Sequence, residues 1–405
     1  MNELNSYISQ INELTARLNG VSFAKLIALP VIGGFEPSHN DKQFIEKTRR
    51  VDPVSFCQNK CHDENAAPII AYRLLALRSL VDDDLAAAYQ HESSAYNATL
   101  EYFSLKDEDT AWTIPVLVRV SNDLRIVATM ADEKAGDTNY KFLRESLNSL
   151  TKGFTNVAKD RSGSKRAAIF AVTNALFKIY FKVNTLQLCG KLINVVEGPS
   201  GIMNQLQSFP VSDVVMYKYY IGRLKMFEDR YTEARECLRF ALNHCPIKCI
   251  KNRQRILASL VPVEMCLGVM PGEKIGSVYG LTEFVEFGQA TIRGDIGTFD
   301  RLLQQHQATL VRLGVYLVLE QVKMIAYRNL FLRIFRLQQS TRLNLHSFHA
   351  ALRWMGEDTD LDEIECVIGN LIYQNKIKGY ISHEKRFLIV SKTDPFPKAA
   401  VVKKA

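Results

Sequence analysis

The sequence predicts a mainly α-helical protein in which pairs of antiparallel helices lead into a C-terminal winged helix. Two observations carry this prediction. From residue 68 onward, apolar residues recur three and four positions apart through a succession of segments, which is the spacing of amphipathic helices. Residues 321–397 instead combine helical spacing with short runs of β-branched and aromatic residues, which are typical of strands.

The composition is that of an ordinary globular protein. The 405 residues are 47% hydrophobic and 23% charged, which is enough material for two or three domains. The formal net charge is +8, and residues 312–405 contribute 15 lysines and arginines against 9 acidic residues, or +6. This balance indicates either an anionic partner, such as nucleic acid or an acidic protein, or simply a solvated basic surface.

No targeting or membrane segment is evident. The amino terminus lacks the charged region and apolar core of a secretory signal, and no window approaches the roughly 18 apolar residues of a membrane span. We therefore expect an intracellular protein without membrane insertion, whose eight cysteines are reduced thiols. Isolated thiols are favoured over a zinc site, and no cofactor is expected, although two clusters have metal-like composition: Cys57-x-x-x-Cys61-His62 and His244-Cys245-x-x-x-Cys249.

Residues 1–165 are predicted to form an N-terminal helical region with one long interruption. Apolar residues at helical spacing precede Asn19 and Gly20, a typical helix end. Residues 30–65 contain scattered prolines and glycines, so we predict an irregular segment there. Helical spacing returns at Pro68, and the polar stretch 159–166 then predicts a domain boundary.

Residues 166–320 are predicted to form tetratricopeptide-like helical repeats. In one helix pair, small and apolar residues stand where the two helices of such a repeat cross. Lys218 and Lys225 occupy positions where the pattern prefers large apolar residues, so the unit is repeat-like rather than a standard copy. The matching residues are Ile221, Gly222, Tyr231, Ala234, Leu238, Ala241 and Pro246.

Residues 321–397 follow the order of a winged helix, and a basic tail, 398–405, comes after it. Asp360 and Glu363 have the spacing of a capping box, which marks the start of a helix. In chain order the segment predicts helix one at 322–337, a strand at 342–345, helix two at 347–355, helix three after 360, and a hairpin of 377–381 and 387–390 joined by the turn 383–386.

The sequence contains no complete catalytic signature. Gly163-Ser164-Lys165 resembles the end of a phosphate-binding loop, but the glycine that this loop requires at position 158 is an alanine. Neither a Gly-x-Ser-x-Gly elbow nor a His-Glu-x-x-His helix is present. We therefore predict that the protein is not an enzyme.

The winged helix is the candidate nucleic-acid-binding element. Six carboxylates crowd the start of helix three and repel phosphate, so sequence-specific reading of the major groove is not expected. Tyr380 and Phe387 are expected to pack inward, with base stacking as the alternative. A cationic face that binds the nucleic-acid backbone, or a basic rim without function, is predicted from Arg328, Arg333, Arg336, Lys376, Lys378, Lys385, Arg386 and Lys392.

Helical repeats that run directly into a terminal winged helix resemble the layout of PCI domains. Several local sequences are similar to the PCI-domain-containing protein 2 family: NALFKIYFK at 174–182, YKYYIGR at 217–223, AYRNLF at 326–331, GYISH at 379–383, VSK at 390–392 and DPFP at 394–397. The resemblance extends from about residue 68 to the end of the winged helix.

The resemblance implies a non-enzymatic subunit of the nuclear transcription-and-export complex 2, which couples transcription to messenger RNA export at nuclear pores. It implies two protein partners: a large scaffold subunit with its own PCI domain and a small acidic subunit shared with the proteasome lid. Nucleic acid would bind to a basic surface formed by paired winged helices. The alternative is a purely architectural PCI subunit of a proteasome-lid, signalosome or translation-initiation assembly.

Overall fold

The computed structural model describes residues 2–30, 39–105, 109–160, 163–198 and 206–397. The chain folds as two compact units, Met1–Tyr217 and Lys218–Ala405. Both units are built mainly from α-helices, which confirms the predicted fold class. None of the helices in the described ranges is long and apolar enough to cross a membrane. The predicted basic tail, 398–405, lies outside these ranges.

The first unit is a succession of short and medium helices. These are α1 (Asn2–Ala16), α2 (Gly20–Leu26), α3 (His39–Thr48), α4 (Pro53–Lys60), α5 (Ala66–Val81), α6 (Leu85–Phe103), α7 (Ile114–Ala135), α8 (Lys141–Lys159), α9 (Ile169–Val183) and α10 (Cys189–Val196). Helix α11 (Val211–Phe227) crosses from the first unit into the second.

The prediction of an irregular segment at residues 30–65 is wrong where α3 and α4 form. Pro53 does not interrupt a helix but stands at its start, where its missing N–H has no intrahelical partner to lose. Asp52 caps the same end, because its carboxylate accepts a hydrogen bond from the backbone N–H of Ser55 at 2.9 Å. Residues 31–38 of this segment lie outside the described residues.

A buried ion-pair network joins the first helices to the rest of this unit. The guanidinium of Arg73, only 2% exposed, donates to Glu92 at 2.5 Å, to Asp123 at 2.6 Å and to the carbonyl of Ile27 at 2.6 Å. Arg119 also donates to Asp123 and to the carbonyl of Leu29. Burial raises the pKa of Glu92, and the charge of Arg73 opposes that shift. The network thus ties α5, α6 and α7 to the segment that follows α2.

The polar stretch 159–166 does not divide the chain. Helix α8 packs on α9 across it. The backbone N–H of Lys165 donates to the Asp160 carboxylate at 2.9 Å, and its ammonium donates to the carbonyl of Phe103 at 2.6 Å. The predicted boundary at 165/166 therefore falls inside the first unit, and the division between units lies at 217/218 instead.

The second unit continues with helices and ends in a small sheet. Its elements after α11 are α12 (Tyr231–His244), α13 (Ile250–Cys266), α14 (Glu273–Tyr279), α15 (Thr282–Arg293), α16 (Ile296–Leu313), α17 (Tyr316–Gln338), β1 (Arg342–Asn344), α18 (Leu345–Trp354), α19 (Leu361–Tyr373), β2 (Gly379–Ser382) and β3 (Phe387–Val390).

The predicted helix crossing of the repeat pattern is present between α11 and α12. A Cβ atom on Gly222 would lie 2.6 Å from Cγ of Leu238, so only glycine permits this approach of the two helices. Leu238 and Ala234 are fully buried at the crossing.

The C-terminal elements form the predicted winged helix. Helices α17, α18 and α19 correspond to helices one, two and three, and the three strands form an antiparallel sheet in the order β1-β3-β2. Asp360 and Glu363 make both hydrogen bonds of the capping box at the start of α19. The predicted boundary at 320/321 lies within α17, because this helix belongs to two cores: Val318, Leu319 and Val322 pack with the repeat helices, and its later residues pack with the winged helix.

We predict that Arg73→Met lowers the free energy of unfolding by about 3–5 kcal/mol, because it leaves the carboxylates of Glu92 and Asp123 buried without its guanidinium. Urea or thermal unfolding measures this loss. Arg17→Met is the matched control, since Arg17 pairs with Glu13 at the surface, where such pairs contribute about 1 kcal/mol or less. Equal losses in the two variants would contradict a structural role for the network.

Candidate nucleic-acid interface

The register of the sheet decides which side chains of the wing face solvent. Leu343 pairs with Leu388 and both are fully buried, so these two residues define the inner face. Side chains alternate along a strand, so the neighbours of Leu388 point to the outer face. Arg342, Ile389 and Tyr380 form one row across that face, and the second row consists of Asn344, Phe387 and Ser382.

The sheet corrects the expectation that Tyr380 and Phe387 pack inward. Both lie on the outer face, whereas Leu388 and Val390 fill the core. Arg342, which was not among the predicted site residues, lies on the same face with its guanidinium 4.2 Å from the centre of the Phe387 ring. The alternation in 342–345 is the signal that could have identified it, because a buried Leu343 places Arg342 outside.

Arg328 supports the C-terminal segment and does not contribute a free cation to the predicted face. Its guanidinium donates to the carbonyls of Phe396 and Pro397 and lies 6.0 Å from the centre of the Phe396 ring. Burial lowers the pKa of Arg328, and the charge of Arg336 adds to that shift. The side chain thus holds residues 396–397 against α17, where Phe335 also contacts Phe396.

Lys376 is also withdrawn from the predicted face. Its side chain is half-buried, and burial lowers the pKa of its ammonium group. The thiol of Cys266, which belongs to α13 in the repeat helices, opposes this shift electrostatically. Lys376 is therefore not one of the exposed charges of the hairpin.

Arg386 is paired with helix three. Its guanidinium donates to Asp362 at 2.6 Å and to Glu365 at 2.9 Å, and the hydrogen bond from Arg386 lowers the pKa of Asp362. His383 lies 2.6 Å from the second oxygen of Glu365. Within the described part of the chain, Asp362, Glu365 and His383 are the one group of three metal-type ligands, and the guanidinium of Arg386 already supplies their counter-charge. This network fixes the wing turn to α19.

Five of the eight predicted cations remain on the surface. Lys378 forms only an exposed pair with Asp394, at 3.1 Å, and such pairs exchange readily with other anions. Lys385 lies at the tip of the hairpin, and Lys392 follows the opposite end of β3. The exposed set is Arg333, Arg336, Lys378, Lys385 and Lys392. Arg328, Lys376 and Arg386 are instead held by contacts or by burial within the fold, so they do not belong to this exposed set.

Helix three offers no cation to a polyanion. The exposed residues of α19 are Asp362, Glu363, Cys366, Asn370 and Tyr373, and its sequence contains neither lysine nor arginine. Base recognition in the major groove relies on donors and cations carried by this helix. The arrangement is therefore consistent with backbone binding and not with sequence-specific reading.

The two cysteine clusters do not gather metal ligands in the part of the chain that the structure describes. Cys57 is fully buried and its pKa is raised, first by its hydrogen bond with Cys61. His244 stacks on Phe240, and its Nδ1 lies 2.9 Å from the carbonyl oxygen of the same residue. Among the described residues, neither cluster contributes to a group of three such ligands.

Comparison with known proteins agrees with this architecture. The PCI domain family matches residues 303–392, and the family described as PSMD3-like, N-terminal TPR repeats, matches residues 142–278. The PCI domain-containing protein 2 homolog of Dictyostelium discoideum is 35% identical over 98% of this chain and 99% of its own length. The chain belongs to the PCI domain-containing protein 2 family.

Two further relatives of this PCI domain-containing protein 2 family member match different shares of the chain. PCI domain-containing protein 2 of Xenopus laevis is 32% identical over 98% of each chain. The Neurospora crassa protein named Protein CSN12 homolog is 32% identical over 72% of this chain and 73% of its own length. The predicted family is confirmed, and the PCI domain indicates a scaffold subunit of a multi-protein complex.

We predict that Arg328→Met destabilises the winged helix of this family member by roughly 1–3 kcal/mol, because the carbonyls of Phe396 and Pro397 lose a charged donor. Thermal unfolding and limited proteolysis at the C-terminal segment measure the effect. Arg336→Met, an exposed change on the same helix, is the control and should unfold like the wild type. A reversed order of stability would contradict the role given to Arg328.

Proposed function

We propose that the chain is a non-enzymatic adaptor subunit of a nuclear mRNA-export complex that binds RNA or DNA without sequence preference. The observation that carries the proposal is the near full-length match to PCI domain-containing protein 2 and its homologues. In this proposal the chain pairs with a larger PCI-domain scaffold subunit and with a small acidic subunit. It resides in the nucleus, including the periphery of nuclear pores through its complex, and secondarily in the cytoplasm.

The exposed cations of the winged helix support the nucleic-acid part of the proposal. Arg333, Arg336, Lys378, Lys385 and Lys392 bring positive charge to α17 and to both ends of the hairpin. Such charges bind phosphates and release counterions, so affinity falls as salt rises and does not depend on base sequence. The acidic start of α19 disfavours the sequence-specific alternative.

The sheet edges support docking to a second PCI subunit. The order β1-β3-β2 leaves β1 and β2 as the edge strands, each with one side unpaired by the residues that the structure describes. Edge strands present backbone N–H and C=O groups to which another strand can add. A partner with its own winged helix supplies a strand of the same kind.

The loop between α12 and α13, taken here together with the first turn of α13, supports the proposal of an acidic partner. Residues 237–263 contain five lysines and arginines and no aspartate or glutamate. Ile247 is 81% exposed and Ile250 56% exposed, beside the exposed Lys248 and Lys251. Neither lysine forms an ion pair with any described residue. Aliphatic side chains gain free energy only against other apolar groups, so the loop fits an acidic peptide that also carries apolar side chains.

Arg253 fixes this loop in place. Its guanidinium donates to the carbonyls of Leu242 at 2.9 Å and Cys245 at 2.7 Å, at the end of α12, and to the hydroxyl of Tyr279 at 3.2 Å. These carbonyls would otherwise lack partners at the end of the helix. A partner consequently meets a surface that is already ordered, which reduces the entropy lost on binding.

A purely architectural PCI subunit is the second candidate function. The match to PSMD3-like N-terminal repeats and the similarity to Protein CSN12 homolog favour it. Purification of the tagged chain from cells, followed by mass spectrometry, separates the two candidates. Recovery of an mRNA-export scaffold supports the proposal, and recovery of proteasome-lid, signalosome or initiation subunits without it contradicts the proposal.

We expect charge reversal at Arg333, Arg336, Lys385 and Lys392 to weaken nucleic-acid binding and to flatten its salt dependence. The slope should fall by about 0.7 for each lost contact with a single strand. Fluorescence anisotropy over a salt series measures both quantities.

The matched control reverses four exposed cations of α8, namely Lys141, Arg144, Lys152 and Lys159, and gives the same net charge. This control should bind like the wild type at moderate salt. If both variants weaken binding equally, total charge rather than the winged helix determines affinity, and the assignment is wrong.

We also expect Ile247→Ser with Ile250→Ser to reduce recovery of the acidic subunit about tenfold, because the loop loses most of its apolar area. The purification described above measures this with quantitative mass spectrometry. Val311→Ser with Leu317→Ser, also exposed apolar residues of the second unit, is the control. Unchanged recovery in the loop variant would show that the acidic subunit binds elsewhere.

A further inference from the structure

The outer face of the winged-helix sheet carries a cation and two aromatic rings in neighbouring rows. Arg342 and Tyr380 stand on either side of Ile389 in the first row. Phe387 stands two residues from Ile389 on the central strand, in the second row. Diagonal neighbours of this kind are about 7–8 Å apart, within reach of aromatic and long side chains. One small surface therefore combines three groups with flat faces.

The guanidinium of Arg342 packs against the ring of Phe387. The 4.2 Å between its guanidinium carbon and the ring centre is the distance of a cation–π stack. Arg342 is nevertheless exposed, so the opposite side of its guanidinium faces solvent. A guanidinium in this position presents a planar surface for stacking and N–H groups for a phosphate.

Tyr380 is an exposed aromatic side chain of the sheet. It is 63% exposed, although it lies in the middle of a strand beside the half-buried Ile389 and Ile381. An aromatic ring in that position adds little to the core, which Leu388 and Val390 fill from the inner face. Its face is accessible to a planar ligand.

We propose that this outer face binds unpaired bases of single-stranded nucleic acid, one stacked on Tyr380 and another on the guanidinium of Arg342 that Phe387 supports. Aromatic rings and guanidinium planes stack on bases of any type. Bases in a duplex are already stacked and do not expose their faces, so the site selects single strands. The inference rests on the proposed nucleic-acid binding and names the form of nucleic acid that is bound.

The surrounding charges favour a polyanion over a protein on this face. Lys385 lies in the turn after β2, and Lys392 lies two residues beyond the end of β3, so an exposed lysine stands at each end of the hairpin. A backbone that runs along the hairpin meets one cation at each end and flat side chains between them. A basic protein surface would be repelled there, and an aliphatic one would leave the guanidinium of Arg342 without an acceptor.

The test compares binding of a labelled single-stranded RNA with binding of the same RNA annealed to its complement, by fluorescence anisotropy over a salt series with the full chain. We expect Tyr380→Ala to weaken single-strand binding about tenfold and to leave duplex binding and the salt slope unchanged, because a stacked base is lost and no charge is removed. Tyr380→Phe keeps the ring and restores binding. Arg342→Lys keeps the charge but loses the plane, so it also weakens single-strand binding selectively.

Tyr373→Ala is the matched control, because Tyr373 is an exposed tyrosine of α19 and is not on the sheet. It should bind both RNAs like the wild type. Equal weakening of both RNAs by Tyr380→Ala, or no weakening of either, would overturn the inference.

If the wild type binds neither RNA, the proposed nucleic-acid binding fails as well. If it binds both equally and only the exposed cations matter, that proposal stands and this inference fails. Loss of the PCI partner from Tyr380→Ala with unaltered RNA binding would assign the face to protein docking instead.

Discussion

The second unit depends on one continuous helix that belongs to two hydrophobic cores. The first turns of α17 pack with the repeat helices through Val318, Leu319 and Val322, and its later turns pack with the winged helix through Leu330, Phe331 and Ile334. A continuous helix is stiff along its axis, because hydrogen bonds join each turn to the next. The winged helix is therefore held in a defined position on the repeats, and no flexible linker separates the two.

Pairing within the fold decides which charges remain for a ligand. All eight predicted cations are lysines or arginines, but three of them are engaged within the fold. Arg328 donates to the carbonyl of Pro397, Arg386 donates to Asp362 of α19, and Lys376 is half-buried. A cation already bonded to a carboxylate or a carbonyl must break that bond before it contacts phosphate. The effective positive surface is thus smaller than the net charge of +8 indicates, and it is concentrated in fewer side chains.

Local patterns in the sequence were sufficient for the elements of the winged helix and insufficient for its surface. The capping box of Asp360 and Glu363 and the apolar spacing of α19 involve residues within one or two turns, so they can be identified without the fold. The contacts of Arg328 join residues 68 and 69 positions apart, and no local pattern encodes such a contact. The sequence therefore gives the number of cations, whereas only the structure shows which of them are exposed.

The same reason explains the misplaced aromatic residues and the missed helices. Residues 387–390 are apolar without exception, so they show no alternation from which an inner face could be predicted. The pairing of Leu343 with Leu388 supplies that information, because it fixes one residue inside and so places Phe387 outside. At Pro53 the pattern was ambiguous, since proline both ends helices and begins them, and the cap formed by Asp52 decides the case.

A winged helix of this form has two separate directions in which it can bind. Strand addition at β1 or β2 uses backbone groups that lie in the plane of the sheet, whereas stacking on Tyr380 and Arg342 uses side chains perpendicular to it. Binding in one direction leaves the groups used in the other direction available. A scaffold subunit with this geometry can therefore hold a protein partner at its edge and a nucleic acid on its face at the same time, and the acidic α19, pinned by Arg386, takes part in neither contact.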